Sequence, residues 1–283
     1  MTTVQDFTGY PPTWCPGCGN FGIGVSIKSA LAQMNYSPSD IFLVFGIGCS
    51  GNMNDFLNGY AIHSLHGRAI PNAIGIKIAN HKKPVIVIVG DGDCYGEGGN
   101  HFLHAARGNH DITVIVHDNS VYGLTTGQVA PTAKKGYKSK STPNGIIEVA
   151  VNPLALALTQ GATFIAQAFA GDTPHLVETI RQGIEHRGFS LINVLQPCVT
   201  FNKVNTYQYY RELVYKLPSN YQKNDFDQAM KKTVELNEEK YPLGVIYQVD
   251  RPTFTDQLPQ IKASTLIDKS RFIDFDYLLR EFI

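Results

Sequence analysis

The sequence has no excess of charge of either sign, since 24 Lys and Arg residues balance 24 Asp and Glu residues among its 283 positions. Such a chain has no global electric field that would attract a nucleic acid or an anionic membrane. It also lacks any stretch that approaches the roughly 20 apolar residues of a membrane-spanning helix. Residues 1–6 contain no basic region followed by an apolar stretch, so we expect no secretory signal. These absences predict a cytoplasmic protein that binds neither nucleic acid nor membrane.

Two common phosphate-binding motifs are missing or incomplete. No Gly-x4-Gly-Lys-Ser/Thr motif is present, and Tyr95 stands where the third glycine of a dinucleotide fingerprint beginning at Gly90 would be required. The stretch from Gly46 to Gly51 does fit Gly-x-Gly-x-x-Gly after a strand. A dinucleotide site then needs an acidic residue about 20 positions further on, but residues 56–90 contain no Asp or Glu. The sequence therefore argues against a dinucleotide site.

Cysteine is scarce, with five residues in all. In a chain of cytoplasmic character, cysteines favour metal binding or catalysis over disulfides. Cys15 and Cys18 form a Cys-x-x-Cys pair, which can bind a metal centre or act as a redox dithiol. A thioredoxin-like motif would follow a strand, whereas a loop at residues 9–12 precedes this one, and a zinc site would normally show a second close pair. No second pair is present.

Apolar β-branched runs alternate with helix-like segments between about residues 41 and 196. Continuous apolar runs are typical of strands that are buried on both faces of a parallel sheet. The alternation predicts a parallel α/β sheet with helices on both sides. The predicted strands are 41–45, 85–89, 112–116, 163–169 and 190–195, and the predicted helices are 71–81, 98–108, 153–161 and 173–186.

Two segments have a different character. Residues 125–152 are rich in Lys, Ser, Thr, Gly and Pro and read as a long loop, which in a compact domain is usually functional. After residue 200 the β-branched runs stop, while Tyr, Lys, Asn and Gln become frequent. We therefore expect a domain at 1–200 and an appendage at 201–283, with a helix near 226–240. The appendage is expected to cover the site or a partner subunit.

Polar residues follow two of the predicted strands. The strand at 85–89 ends in Gly90-Asp91-Gly92-Asp93, and the strand at 112–116 is followed by Asp118-Asn119. If these strands are neighbours, both polar ends lie at the carboxyl edge of the sheet, where open α/β sheets bind ligands. Asp91 and Asn119 offer the oxygen ligands that suit Mg²⁺, and the glycines allow close approach of a diphosphate. An ordinary strand-to-helix turn with Asp as N-cap is the alternative.

The remaining cysteines are single. Cys49 follows the strand at 41–45 and Cys198 follows the strand at 190–195, so both lie at strand ends. With Cys15 and Cys18 they could supply the four thiolates of a [4Fe–4S] cluster. Cys94, which directly follows the turn Gly90-Asp91-Gly92-Asp93, is a competing candidate for a cluster ligand. A lone buried cysteine is, on spacing alone, more often a core residue than a ligand.

Six motifs in one order resemble the beta subunits of 2-oxoacid:ferredoxin oxidoreductases, and the resemblance covers roughly residues 10 to 215. The motifs are Trp14-Cys-Pro-Gly-Cys-Gly19, Gly46-Ile-Gly-Cys-Ser-Gly51, Leu65-His-Gly-Arg68, Gly90-Asp-Gly-Asp93, Asp118-Asn119 with Tyr122-Gly-Leu-Thr125, and Pro197-Cys-Val-Thr-Phe-Asn202. The resemblance implies a thiamine diphosphate-binding fold of the diphosphate-binding type.

The resemblance also implies the ligands of three cofactors. The [4Fe–4S] cluster would be bound by Cys15, Cys18, Cys49 and Cys198, and Mg²⁺ by Asp91, Asn119 and the backbone carbonyl of Val121. Thiamine diphosphate would contact Ile47, Gly48, Cys49, Ser50, His66, Gly92, Asp93, Gly123 and Leu124. Without the resemblance, His66 would be interpreted as a capped core histidine. No catalytic residue is assigned to this chain, because a companion alpha subunit would supply the pyrimidine half of the thiamine site.

The implied activity is the coenzyme A-dependent oxidative decarboxylation of a 2-oxo acid, with electrons passing through the cluster to ferredoxin. The segment 189–207 favours 2-oxoglutarate, with pyruvate as the rival. Some relatives carry a lysine where this chain has Asn52, so substrate choice is expected to depend on other residues or on the partner. The alternatives are a non-oxidative thiamine-dependent decarboxylase or synthase subunit and a zinc-stabilised interaction module.

Overall fold

The protein is described by a computed structural model that covers residues 1–238, 240–269 and 274–282. In this part of the chain ten strands are present: β1 (Phe42–Phe45), β2 (Tyr60–His63), β3 (Val85–Gly90), β4 (Thr113–Asp118), β5 (Val121–Tyr122), β6 (Gln128–Val129), β7 (Phe164–Phe169), β8 (Ser190–Leu195), β9 (Val214–Lys216) and β10 (Tyr241–Gln248). The helices of the same part are α1 (Gly19–Gln33), α2 (Ala69–Ala79), α3 (Gly99–Gly108), α4 (Pro153–Thr159), α5 (Thr173–Glu185), α6 (Tyr207–Leu213), α7 (Phe226–Val234) and α8 (Phe275–Leu279).

Eight of the described strands form one sheet in the order β2-β1-β3-β4-β8-β7-β10-β9. The strands from β2 to β7 in this order pair in parallel, and β10 pairs antiparallel with β7. β5 and β6 form a separate antiparallel ribbon. The predicted α/β class with a mostly parallel sheet is thus confirmed, and the five predicted strands correspond to β1, β3, β4, β7 and β8.

The middle strands of the sheet, β1, β3, β4, β8 and β7, are buried on both faces, as their apolar runs predict. Successive residues of a strand point to opposite faces, so Val87 packs in one core cluster with Phe102 of α3. Its neighbour Ile88 packs in a second cluster with Ile27 of α1. The four predicted helices correspond to α2, α3, α4 and α5, and helices lie on both sides of the sheet.

The chain after residue 200 also contributes strands, which the composition did not predict. β10 extends the sheet next to β7, and β9 pairs with β10. The predicted helix near 226–240 is present as α7, followed by a short 3-10 turn, and residue 239 lies outside the described residues. The division of the chain at residue 200, and the covering role of the appendage, stay predictions.

Four parallel strands end at one edge of the sheet and position the candidate site. β1, β3, β4 and β8 are neighbours, and the segments after them carry the polar residues and cysteines that the sequence singles out. The predicted loop at 125–152 lies mostly in turns, with β6 as a two-residue strand. Across the described ranges, no helix is both long and apolar enough to span a membrane.

Candidate functional site

A cavity of about 110 Å³ lies at the carboxyl ends of β1, β3 and β4. Every residue predicted to contact thiamine diphosphate lines this cavity, namely Ile47, Gly48, Cys49, Ser50, His66, Gly92, Asp93, Gly123 and Leu124. The three predicted magnesium ligands, Asp91, Asn119 and Val121, line it as well. The fold therefore brings both predicted sets together, while their contact with a cofactor stays a prediction.

Glycines allow the backbone to pack closely on one side of this cavity. A Cβ atom on Gly46 would overlap the Asp93 carboxylate, and one on Gly51 would overlap the Gly46 carbonyl oxygen. Gly48 has a φ of +116°, a conformation that residues other than glycine rarely adopt. The segment after β1 can therefore fold over the carboxylates that follow β3 only because these positions are glycine.

Asp91 is a buried carboxylate whose described hydrogen-bond partners carry no positive charge. One of its oxygens, Oδ2, accepts hydrogen bonds from the Ser120 N–H at 3.0 Å and from the Thr132 hydroxyl at 2.6 Å. Burial and the nearby Asp118 carboxylate raise the pKa of Asp91 well above its usual range. The groups that oppose this shift are a hydroxyl and backbone N–H donors, and none of these is a cation. A divalent cation fits here, because it would supply the missing charge.

Asn119 presents its amide in a defined orientation. Its Oδ1 accepts from the Val121 N–H at 3.0 Å, while its Nδ2 donates to Oε1 of Gln196 at 3.3 Å. The side chain of Asn202 donates to the Asn119 backbone carbonyl at 2.9 Å. The amide oxygen, which is the ligand that a hard cation requires, is therefore held on the Val121 side.

His66 and Asp93 lie on the side of the cavity that faces Glu97. Asp93 Oδ1 accepts from the Gly67 N–H at 2.7 Å and lies 3.4 Å from His66 Nε2. The same imidazole nitrogen lies 3.4 Å from Glu97 Oε2. Burial raises the pKa of Asp93, and the Gly67 N–H and His66 oppose the shift. His66 is thus paired with two carboxylates here rather than capped inside the core.

A second cavity, of about 210 Å³, is lined by all four predicted cluster ligands, Cys15, Cys18, Cys49 and Cys198. Cys18 immediately precedes α1 and its N–H donates to the Cys15 carbonyl at 3.0 Å. Burial raises the pKa of Cys49 to about 11, and the nearby thiols of Cys18, Cys198 and Cys15 add to this shift. Four thiols that line one cavity fit a four-thiolate metal cluster.

The fifth cysteine lies elsewhere. Cys94 is 2% exposed and packs in the core cluster that contains Phe102. Burial raises the pKa of its thiol well above the usual range. Of the two interpretations that the sequence allows for Cys94, the structure favours a core residue.

No group of three or more His, Cys, Asp or Glu side chains among the described residues has an arrangement that could hold a single metal ion. The predicted magnesium set contains just one such side chain, Asp91, beside an amide and a backbone carbonyl. In a four-iron cluster each thiolate binds its own iron, so the ligands need not converge on one point as they do around one ion. Neither predicted set is therefore a group of three such side chains around a single ion: the magnesium set contains one of them, and the four cysteines would each bind a different iron.

The two cavities share a wall. Cys49, Asn119, Gly123, Leu124 and Gln196 line both of them. A group bound in one cavity would therefore be separated from a group in the other by single side chains.

Two buried polar residues of the lining lie outside the predicted ligand and contact sets. His117, at the end of β4, is buried, its Nδ1 is 2.7 Å from Asn20 Oδ1, and burial lowers its pKa to about 3. Gln196, directly after β8, lines both cavities. Each lies at the carboxyl end of a buried strand, and this position is the signal that could have identified them in the sequence.

Comparisons with known proteins match the part of the chain that contains the two cavities. A family model described as "Thiamine pyrophosphate enzyme, C-terminal TPP binding domain" matches residues 46–194. A second model, which describes the C-terminal part of the pyruvate ferredoxin oxidoreductase beta subunit, matches residues 198–263. The fold, the cavity after β3 and the first match define the class of the protein as a thiamine pyrophosphate enzyme domain.

Relatives over nearly the full length define the family. The chain is 42% identical to the 2-oxoacid:ferredoxin oxidoreductase subunit beta of Sulfolobus sp, over 95% of each chain. It is 46% identical to that of Saccharolobus solfataricus, over 90% of this chain and 88% of the relative. A solved 2-oxoglutarate:ferredoxin oxidoreductase from Magnetococcus marinus matches with a TM-score of 0.92 and 37% identity, over 99% of this chain and 96% of that one. The chain belongs to the beta subunits of the 2-oxoacid:ferredoxin oxidoreductases, which confirms the predicted family and the oxidoreductase class.

Proposed function

We propose that this beta subunit binds thiamine diphosphate with Mg²⁺ in the cavity after β3 and a [4Fe–4S] cluster in the cavity formed by the four cysteines. Its reaction is the coenzyme A-dependent oxidative decarboxylation of 2-oxoglutarate, with ferredoxin as electron acceptor. The shared wall of the two cavities is the observation that carries the proposal. A site for 2-oxo acid cleavage beside a site for electron uptake is the arrangement that an oxidative, rather than a simple, decarboxylation requires.

The chain's own residues have distinct tasks in this proposal. Asp91, Asn119 and the Val121 carbonyl hold the magnesium ion, and the glycine-rich segments 46–51 and 90–93 receive the diphosphate. Thiamine diphosphate, when bound, supplies the electron sink that cleavage next to a 2-oxo carbon needs. Cys15, Cys18, Cys49 and Cys198 hold the cluster, and Trp14 supports this side by donating from Nε1 to the Cys49 carbonyl at 2.7 Å.

The choice of 2-oxoglutarate rests on the solved relative, which is described with 2-oxoglutarate, coenzyme A and succinyl-CoA bound. The two relatives from Sulfolobus sp and Saccharolobus solfataricus carry the broader name 2-oxoacid:ferredoxin oxidoreductase. Asn52 lines the cysteine cavity and is neutral, so it offers no positive charge to a distal carboxylate. Recognition of that carboxylate is therefore assigned to other residues or to the partner.

The proposed enzyme requires an alpha subunit as well. The beta subunit supplies the half of the thiamine site that binds the diphosphate and the metal, and the partner supplies the half that binds the pyrimidine. The assembly is a hetero-oligomer, and this chain alone is expected to have little turnover.

The test is co-expression with the alpha subunit, anaerobic purification, and determination of iron, sulfide and thiamine diphosphate. The complex should reduce ferredoxin with 2-oxoglutarate and coenzyme A, and faster than with pyruvate. An iron-free, colourless complex that still decarboxylates 2-oxo acids would contradict the proposal and favour a non-oxidative thiamine-dependent enzyme. A faster reaction with pyruvate would contradict the substrate assignment alone.

A further inference from the structure

Gln196 is buried at the wall that the two cavities share. It is 1% exposed, and its backbone N–H donates to the Asp118 carbonyl at 2.8 Å, so the sheet sets its position. Its Oε1 accepts from Asn119 Nδ2 at 3.3 Å, on the side of the predicted magnesium site. Its Nε2 donates to Cys18 Sγ at 3.4 Å, on the side of the predicted cluster. One side chain thus contacts a predicted ligand of each cofactor.

The hydrogen bonds around Gln196 follow one order of donors and acceptors, from the Val121 N–H through the Asn119 and Gln196 amides to Cys18 Sγ. The Val121 N–H donates to Asn119 Oδ1 at 3.0 Å, which turns the Asn119 N–H groups toward Gln196. An amide has one acceptor end and one donor end, so Gln196 must present its oxygen to Asn119. Its N–H groups then point at Cys18. The backbone donor of Val121 therefore fixes the orientation of both amides.

The first residue of α1, Gly19, leaves room for the Gln196 side chain. A Cβ atom on Gly19 would lie 2.6 Å from Gln196 Cγ, so a larger residue at position 19 would push the amide away from Cys18. The Gly19 N–H donates to the Pro197 carbonyl at 3.1 Å, which ties the segment after β8 to the first turn of α1. The contact between Gln196 and Cys18 is thus supported from both sides.

We propose that Gln196 is a positioning residue that links the magnesium site to the iron–sulfur site, an inference that rests on the proposed function. Toward the cluster, an N–H donated to a ligand sulfur stabilises the negative charge that increases on one-electron reduction, and so raises the reduction potential. Toward the magnesium site, the Gln196 oxygen holds the Asn119 amide so that the second lone pair of Asn119 Oδ1, beside the bond from the Val121 N–H, is available to the metal. Gln196 thereby supports both cofactors without being a ligand of either.

Two variants separate these effects in the complex of alpha and beta subunits. Gln196→Leu removes both hydrogen bonds. We expect the equilibrium constant for cluster reduction to fall about tenfold, equivalent to about 59 mV for a one-electron couple. The Mg²⁺ concentration that half-saturates thiamine diphosphate binding should rise about tenfold. Gln196→Glu keeps the acceptor for Asn119 but places a carboxylate beside Cys18. Gln196→Glu should lower the reduction potential by at least as much as Gln196→Leu does. It should leave the Mg²⁺ concentration that half-saturates thiamine diphosphate binding within about twofold of the wild-type value.

The potential is measured by an anaerobic redox titration followed by electron paramagnetic resonance, and the Mg²⁺ dependence by calorimetric titration with thiamine diphosphate. Gln167→Leu is the matched control, since Gln167 is a buried glutamine of β7 whose Nε2 donates to the Pro242 carbonyl at 3.0 Å. It should leave both quantities unchanged. If Gln196→Leu does not assemble, the nearly isosteric Gln196→Glu carries the measurement of the potential.

Wild-type potentials in both Gln196 variants would overturn the link to the cluster. A wild-type Mg²⁺ dependence in Gln196→Leu would overturn the link to Asn119. A wild-type complex that contains no cluster, or that does not bind thiamine diphosphate, would instead contradict the proposed function. The wild-type complex therefore tests the proposed function by itself, and the variants then test the proposed role of Gln196.

Discussion

The sulfur atoms of Cys49 and Cys198 lie 3.5 Å and 3.9 Å from one point, the position that a Cβ atom would take on Gly123. Cys49 follows β1 and Cys198 follows β8, two strands that β3 and β4 separate in the sheet. Parallel strands that end at one edge thus bring together two thiols whose spacing in the sequence gives no sign of a shared ligand. Their role can be tested separately from that of the Cys-x-x-Cys pair.

Replacing either cysteine by alanine should disrupt the cluster and lower the iron content, whereas the same change at Cys94 should not. Cys49→Ala and Cys198→Ala each delete one of the four expected thiolates, so the anaerobically purified complex should lose at least half of its iron and sulfide. Cys94 is a core residue, so Cys94→Ala should keep full iron content and lose about 1 kcal/mol of stability from the lost packing. Full iron content in Cys198→Ala would contradict the ligand assignment.

The uncompensated charge of Asp91 leads to a second prediction. Asp91→Asn should weaken Mg²⁺-dependent binding of thiamine diphosphate by about a hundredfold, or about 2.7 kcal/mol, because a carboxylate ligand is lost. The melting temperature of the cofactor-free complex should stay the same or rise, since the change removes a buried negative charge next to Asp118. Calorimetry and thermal unfolding measure the two effects.

The control for this change is Asp55→Asn, at the exposed last residue of the 3-10 turn that follows β1. It should alter neither the binding nor the melting temperature. If Asp91→Asn lowered the melting temperature of the cofactor-free complex by several degrees, the hydrogen bonds to Ser120 and Thr132 would outweigh the cost of the buried charge, and Asp91 would be mainly structural.

Much of the sheet was predictable because five strands are continuous apolar runs that leave no alternative to burial. The others lack that signal. β2 is an edge strand whose four side chains are all exposed, and β10 contains Pro242 and Gly244, two poor strand formers. α1 was missed because Gly19, Gly22 and Gly24 lower its helix propensity. It forms because one of its sides, including Ile27, is buried in a core cluster with strands of the sheet.

The residues of the candidate site also differ in how clearly the sequence points to them. Asp91 and Asn119 were identifiable because the chemistry of each residue matches its place at a strand end. Gln196 gave no such signal, since an amide after a strand is common. Its proposed role rests on the fold, because β8 brings it between Asn119 and Cys18, two residues that lie far apart in the sequence. Contacts of this kind depend on the order of the strands, which spacing in the sequence does not encode.

The glycine packing around Asp93 gives a third prediction. A Cβ atom on Gly46 would overlap the Asp93 carboxylate, so Gly46→Ala should cost about 1–3 kcal/mol of stability and weaken thiamine diphosphate binding at least tenfold. Gly75→Ala is the matched control, since Gly75 lies inside α2 with no described atom within 4 Å of the added carbon. It should stabilise the protein by about 0.5–1 kcal/mol without affecting binding. Chemical unfolding and calorimetry measure these effects, and wild-type binding in Gly46→Ala would contradict the close packing.

His186 gives a pH-dependent prediction away from the candidate site. It is 7% exposed, its Nε2 lies 2.8 Å from the Thr163 hydroxyl, and burial lowers its pKa. The unfolded chain binds this proton once the pH falls below about 6.5, the ordinary histidine value, whereas the folded chain binds it only at lower pH. His186 therefore contributes stability that is fully present above pH of about 6.5 and is lost as the pH falls toward its folded-state pKa.

His186→Gln should flatten the decline in stability between about pH 6.5 and 5.5 by up to about 1.4 kcal/mol per pH unit, the effect of one proton. The measurement is the free energy of urea unfolding of the alpha–beta complex at several pH values. His104→Gln, at an exposed position in α3, should leave the slope as it is. An unchanged slope in His186→Gln would mean that the imidazole gains its proton as easily in the folded chain as in the unfolded one, so that burial at the end of α5 does not hold it neutral.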